Sequence, residues 1–318
     1  MNRASALSLL HHANYGHSTM PFSINLEYTP FCPQAGLPFT EPSFFRRSAP
    51  FTFEAAEVGV ALVDLWNLGW DDGPVSESFG RDLSFERGRS HAMRKRHIIE
   101  DVIAPVVDTL RELGVQIFHC NHGRFLEMYP QWDASITEEE RQEHWKKANP
   151  KRSDIADDSH GQVDAEGNPP PKDGWGPHWQ ERRGALVWGS QAWGMKQRNE
   201  LYPQMAIPAP VRPKGGDLLI CSKAQFRRLL AERGIRVLFY MGFETDCCVL
   251  HNQEYGIAKM VGPNCLCAIV RDATTTYESA ETLEGLWRTR MAVLKIEESY
   301  GYSITSEALI EALRNLDT

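Results

Sequence analysis

The run "VGVALVDLWN", Val58 to Asn67, is apolar almost without interruption and then ends in a carboxylate and an amide. A strand with one wet face alternates apolar and polar residues. An unbroken apolar strand is covered on both faces, as in a parallel sheet between two layers of helices. The next segment, "RHIIEDVIAPVVDTLRELG", carries apolar residues at helical spacing and stops at Gly114, a residue suited to the position after a helix C-terminus. "VQIFHCN" is then a second strand, which makes a βαβ unit with a right-handed crossover. From "DLLICS" the alternation resumes. "KAQFRRLLAERG" predicts a helix, "VLFYMGF" a strand, "DCCVLHNQEYGIAKM" a helix and "CLCAIVRDA" a strand. "ESAETLEGLWRTRMAVLK" predicts a further helix, and "YSITSEALIEALRNL" a short strand with a closing helix. The pattern predicts an α/β chain with a mainly parallel sheet and helices on both faces.

Two regions break the pattern. Residues 1–57 are rich in Pro, Phe and Ser without helical period, and predict an extended arm with a strand or two. Residues from about 123 to 213 include "EEERQEHWKK" and "DDSHGQVDAEGNPPPKDGWGPHW", the second nearly free of aliphatics. An insertion of that length is a functional lid, a partner-facing excursion or partly disordered. The net charge of −8 disfavours nucleic-acid and anionic-membrane partners, and "RKRH" (Arg94 to His97) reads as a solvated helix face. No apolar run reaches the roughly 18–20 residues that span a bilayer, and the N-terminal apolar patch is too short for a signal peptide. Seven cysteines without CxxC spacing predict reduced thiols and a cytoplasmic location. Cys265 and Cys267 alternate in a strand and should share one buried face.

In an open parallel sheet, ligands gather beyond the carboxyl ends of the strands. The first strand delivers Asp64, Trp66 and Asn67 there, and the second His119, Asn121 and His122. The third delivers Ser222 and Lys223, the fourth Glu244, Thr245, Cys247 and Cys248, and the fifth Arg271 and Asp272. With Thr245 or Asp246 as cap, Cys248 falls in a first helical turn, where unpaired N–H groups should lower its thiol pKa. Asp64 can take up the thiol proton and return it to a leaving amine. Cys247 points about 100° away around the helix and reads as a small core residue.

The segments "VALVDLWN", "GDLLICSK" and "GFETDCCV" together resemble the isochorismatase-like cysteine hydrolases, over residues 58–122 and 200–315. The resemblance implies a Rossmann-like three-layer α/β/α domain (58–318) on a six-stranded mainly parallel sheet, preceded by the arm. It also implies a catalytic triad of Asp64, a lysine and Cys248. The amides of Glu244 and Cys248 would form the oxyanion hole, after a cis Phe243–Glu244 peptide. Anchoring on "GDLLI" makes the lysine Lys223, and counting back from the following helix makes it Lys214. Trp66, Asn67, His119, Asn121 and Thr245 would bind substrate. Glu244 departs from the family, where a small or apolar residue is usual, and its carboxylate should oppose a thiolate.

Trp66 stands where a metal-binding member would carry a histidine, so no metal is expected despite His119 and His122. Without GxGxxG, P-loop or GxSxG, no nucleotide cofactor or serine nucleophile is expected either. The expected partners are a small-molecule substrate and further copies of the chain, as dimer or tetramer. The expected activity is hydrolysis of a C–N bond in a small amide or ureido compound through a cysteine thioester. The competing expectation is a non-catalytic member that binds small molecules or acts as a scaffold.

Overall fold

The computed structural model describes residues 21–70, 72–73, 89–148 and 204–315. Its strands are β1 (Pro21–Tyr28), β2 (Arg47–Glu54), β3 (Val58–Val63), β4 (Gln116–Cys120), β5 (Leu218–Ile220), β6 (Val237–Phe243), β7 (Leu266–Thr275) and β8 (Tyr302–Ile304). They form one sheet in the order β2-β1-β8-β7-β6-β3-β4-β5. From β8 to β5 every pairing is parallel, so the expected six parallel strands are present. The arm adds two more. β1 and β2 form an antiparallel hairpin in register from Pro21↔Glu54 to Tyr28↔Arg47, and β1 joins β8 at Glu27↔Ser303.

Every residue of β3 and β6 is buried, as their apolar runs demand. One face of the sheet packs Val60, Leu62, Phe239 and Met241 against Ile103, Val107, Leu110, Leu309 and Leu313. The other packs Ala61, Val63, Leu238 and Tyr240 with Phe226, Leu229, Val293 and Ile296. Three layers result. The predicted helix before β4 runs from Arg89 to Glu112 with a π-helical turn, Ile99–Ile103, in its middle. Pro105 has no N–H to donate there, and the Ala104 amide reaches back to the Ile99 carbonyl instead. That helix ends at Gly114 with φ of 75°, as expected.

Two expected helices differ. The segment after β6 is a π-helical turn, Thr245–Asn252, followed by a short helix, Ile257–Met260. The helix expected from Glu278 starts at Trp287, because Gly285 and Leu286 take left-handed backbone (φ 79° and 52°) that no right-handed helix tolerates. The Glu278 carboxylate turns back to accept the amides of Arg288 (3.1 Å) and Thr289 (2.9 Å) and so caps that helix. The first part of the insertion folds into short helices, of which the longest is Glu138–Ala148. Residues 149–203 of the insertion and 1–20 of the arm lie outside the described residues. Among the described residues no helix is long and apolar enough to cross a membrane.

Candidate active site at the switch point of the sheet

β3 and β6 lie side by side at the centre of the sheet, and the chain leaves them toward opposite edges. Such a switch point opens a crevice at the strand C-termini. The residues there, Asp64 after β3 and Glu244 after β6, are both buried, and both take left-handed backbone at φ 52° and 60°. For a residue with a side chain this costs roughly 1–2 kcal/mol, so the surroundings must hold both in place. Between them Gly242 (φ 128°) lets β6 pass close to β3. A Cβ at this position would lie 2.0 Å from the Val63 carbonyl oxygen.

The Glu244 carbonyl starts the π-helical turn, accepting from the amides of Cys247 (2.8 Å) and Val249 (3.1 Å). The wide turn brings residues five apart together. Asn252 Nδ2 donates to Cys247 Sγ at 2.6 Å, and Gln253 Nε2 donates to Cys248 Sγ at 3.6 Å. The Cys248 thiol sits next to Asp64. Asp64 Oδ1 accepts the Tyr255 hydroxyl at 2.8 Å, and Tyr255 is held in turn by its own carbonyl, which accepts from Tyr240. Burial and the Asp64 charge push the Tyr255 hydroxyl pKa up, so it stays a donor. Among the described residues none besides the neighbouring thiol donates to the second, buried oxygen, Asp64 Oδ2. It is a carboxylate oxygen with capacity to spare, beside a thiol.

The expected lowering of the Cys248 pKa is not what the structure gives. The neighbouring Cys247 thiol, burial and the negative charge of Asp64 together push the Cys248 thiol up. A first-turn position does not offset an adjacent carboxylate in a buried site. Cys247, expected as core, is only half-buried. It is the more acidic of the two, chiefly through a hydrogen bond from the Cys248 thiol, with a smaller contribution from the charge of Arg288.

Glu244 is explained by neighbours that the sequence did not suggest. Its Oε1 lies 3.0 Å from His91 Nε2 and 3.8 Å from Lys95 Nζ, and Thr276 donates to its Oε2 at 3.4 Å. Arg94 Nη2 lies 2.9 Å from His91 Nδ1. A guanidinium can only donate, so Nδ1 accepts and Nε2 carries the proton given to Glu244. Lys95 is 0% exposed, with its ammonium 5.2 Å from the Trp66 ring and 5.4 Å from that of Phe243. The "RKRH" run is therefore no solvated face. His91 and Lys95 stand one helical turn apart on the buried side, and that i, i+4 spacing beside buried Ala92 and Ile99 was the available signal. Glu244 is the counter-ion of Lys95 and accepts from the neutral His91 ring, and the charge that raises the thiol is that of Asp64.

The remaining expected residues divide. Trp66 stacks on His122 at 5.8 Å beneath Lys95. Asn121 Nδ2 reaches the Leu65 carbonyl at 3.5 Å, and its Oδ1 is buried without a hydrogen bond, so both stay at the crevice. Thr245 is buried and shares a 2.7 Å hydrogen bond with Thr274. Asn67 is committed to the chain returning from the insertion, through Ala206, with bonds of 3.1 and 3.0 Å. His119 faces away, 3.0 Å from Asp217, itself paired with Arg111. Asp272 caps the helix Ser306–Arg314 through the Ser306 amide at 2.9 Å.

Neither candidate lysine meets Asp64 or Cys248. Lys223 opens the helix Lys223–Arg233, its amide on Glu254 (3.0 Å), and lines a surface cleft with Arg227 and Lys259. Lys214 forms an exposed pair with Asp108 at 2.9 Å. Among the described residues, the lysine that is buried is Lys95. The Glu244 amide, expected in the oxyanion hole, donates to the Thr275 carbonyl at 3.0 Å. The Phe243–Glu244 peptide is trans, as are all described peptides. Among the described residues no cluster of metal-ligating side chains occurs.

No family model matches the sequence, and no curated protein is similar to it. Solved structures that it resembles include a cysteine hydrolase from Pseudomonas syringae pv. phaseolicola 1448A. The two share 12% identity at a TM-score of 0.42, over 83% of this chain and 95% of that one. An N-carbamoylsarcosine amidase from Thermoplasma acidophilum shares 14% identity at 0.38, over 79% and 97%. An isochorismatase from Pseudomonas putida KT2440 shares 12% identity at 0.37, over 80% and 91%.

Proposed function

We propose that the protein is a cysteine hydrolase of the isochorismatase-like kind, cleaving a C–N bond of a small amide or ureido compound. The observation that carries this reading is the half-buried Cys248 thiol beside Asp64, whose Oδ2 accepts from no other described residue, at the switch point of a parallel sheet. The raised thiol pKa means that Cys248 rests protonated. As its sulfur attacks the substrate carbonyl, the thiol proton passes to Asp64. Asp64 then gives that proton to the departing nitrogen, and the C–N bond breaks to leave a thioester. Water attacks the thioester and loses a proton to Asp64, the C–S bond breaks, and Asp64 returns that proton to the departing Cys248 sulfur as the acid is released. Tyr255 keeps the Asp64 carboxylate oriented throughout.

The test is a screen of small amides and ureido compounds on the purified protein, with trapping of the acyl-enzyme by mass spectrometry. The expected result is turnover by the native protein and an adduct on Cys248, both absent in Cys248→Ser. Turnover that survives in Cys248→Ser removes the covalent mechanism. A second reading rests on the engaged Glu244 amide and on the distance of Lys223 and Lys214 from the thiol: a non-catalytic member that binds a small molecule in the same crevice. Saturable binding without turnover or adduct selects that reading.

A further inference from the structure

At the opposite end of the sheet, where β6 and β7 begin, lies a cleft of about 620 Å³. Arg227, Ala231, Arg236, Met260, Asn264 and Cys265 are among the residues that line it. Sequence alternation placed Cys265 in the core beside Cys267. Instead Cys265 is half-buried at the cleft wall, in a tight turn closed by paired bonds with Gly262 at 3.1 Å, while Cys267 is fully buried behind it. The two sulfurs lie 3.9 Å apart. Arg227 donates to the Lys259 carbonyl (3.2 Å) and Arg236 pairs with Glu57 (3.1 Å). These contacts hold both guanidiniums at the rim, and each keeps further donors for a ligand carboxylate.

We propose that Cys265 is a thiol-exchange site for small acidic disulfides, with Cys267 as its resolving thiol. An acidic disulfide enters with its carboxylates on Arg227 and Arg236. The Cys265 thiolate attacks one ligand sulfur, the ligand S–S bond breaks, and one ligand thiolate leaves. The Cys267 thiol then loses its proton and attacks the Cys265 sulfur. The mixed disulfide breaks, the second ligand thiol is released, and a Cys265–Cys267 disulfide remains. Overall, one disulfide is reduced to two thiols while the protein dithiol is oxidised. A hydrogen bond from Cys267, with a smaller contribution from the charge of Arg227, lowers the Cys265 thiol pKa, which favours the attacking species. Because Cys267 is sealed from solvent, only Cys265 meets the incoming disulfide.

The test treats the full chain with glutathione disulfide or, at matched concentration, with neutral hydroxyethyl disulfide, quenches with iodoacetamide and digests with trypsin. Cleavage after Lys259 and Arg271 places Cys265 and Cys267 in one peptide, separate from Cys247 and Cys248. The expected product is that peptide lighter by a pair of hydrogens, formed several-fold faster with the acidic disulfide, a preference that salt and Arg227→Ala both reduce. In Cys267→Ser the mixed disulfide should persist on Cys265. Alkylation of both thiols in that peptide while exposed Cys32 is thiolated overturns the proposal. Equal rates with the two disulfides remove the acidic class, and a persistent mixed disulfide in the native protein removes the role of Cys267. The native protein alone decides if a variant fails to fold. None of these readouts involves Cys248, so the site stands or falls independently of the hydrolase reading.

Discussion

Asp64 and Glu244 occupy equivalent places, each the first residue past a central buried strand, each buried, each in left-handed backbone. Their partners separate them. Glu244 is clamped by His91, Lys95 and Thr276, and its backbone is tied to β7 and to the π-helical turn. Among the described residues Asp64 has one hydroxyl on one oxygen and, besides the Cys248 thiol, no donor on the other. A carboxylate whose capacity is filled holds structure together. One left partly unfilled next to a thiol can take up a proton. The pair teaches that the backbone posture is shared by both carboxylates, while counting their partners separates them.

The strongest way to break this comparison is to neutralise each carboxylate in turn. Asp64→Asn should cut turnover of any amide substrate by about 100-fold or more, the usual contribution of a positioned acid–base group. It should also lower the pH midpoint of Cys248 alkylation, because the Asp64 charge holds that thiol up. A midpoint that rises or stays fixed would detach the thiol from Asp64. In the native protein, alkylation followed from pH 5 to 9.5 should show Cys247 reacting at lower pH than Cys248. Removing the counter-ion of Glu244 tests the other half. Lys95→Met should destabilise the fold by about 3–5 kcal/mol, since it strands a buried charge. The double variant Lys95→Met/Glu244→Gln should recover part of that loss in thermal melts. Tyr255→Phe should cost about 1.5–3 kcal/mol, the worth of a hydrogen bond to a charged group. Lys223→Ala is the smallest, within about 0.5 kcal/mol as for other surface changes, with no shift in the Cys248 alkylation profile. A profile that shifts would bring Lys223 back to the site.

The strands were legible because an unbroken apolar run leaves few alternatives, and Val58–Val63 and Val237–Phe243 are buried along their whole length. That Asp64 and Cys248 meet was legible because both follow the C-terminal ends of adjacent central strands. Lys95 was not, since its partner Glu244 lies far along the chain and a local run of charges looks like a wet surface. Lys223 was misjudged for a related reason. It does follow β5, as read, but Ser222 caps the helix there and Lys223 becomes its first residue. The late start of the helix Trp287–Ser299 depended on the backbone of Gly285 and Leu286, for which glycine was the one local clue.

The hairpin of β1 and β2 has a practical consequence for where this fold can be cut. It meets β8 at a single register pair, yet Phe22, Ile24 and Leu26 are buried in the main core. A gene trimmed to begin at Val58, the apparent start of the regular α/β pattern, would therefore encode a protein with an open apolar flank and a bare strand edge on β8. Such a product should self-associate through that edge. A shortened version that keeps this core closed should therefore retain both β1 and β2.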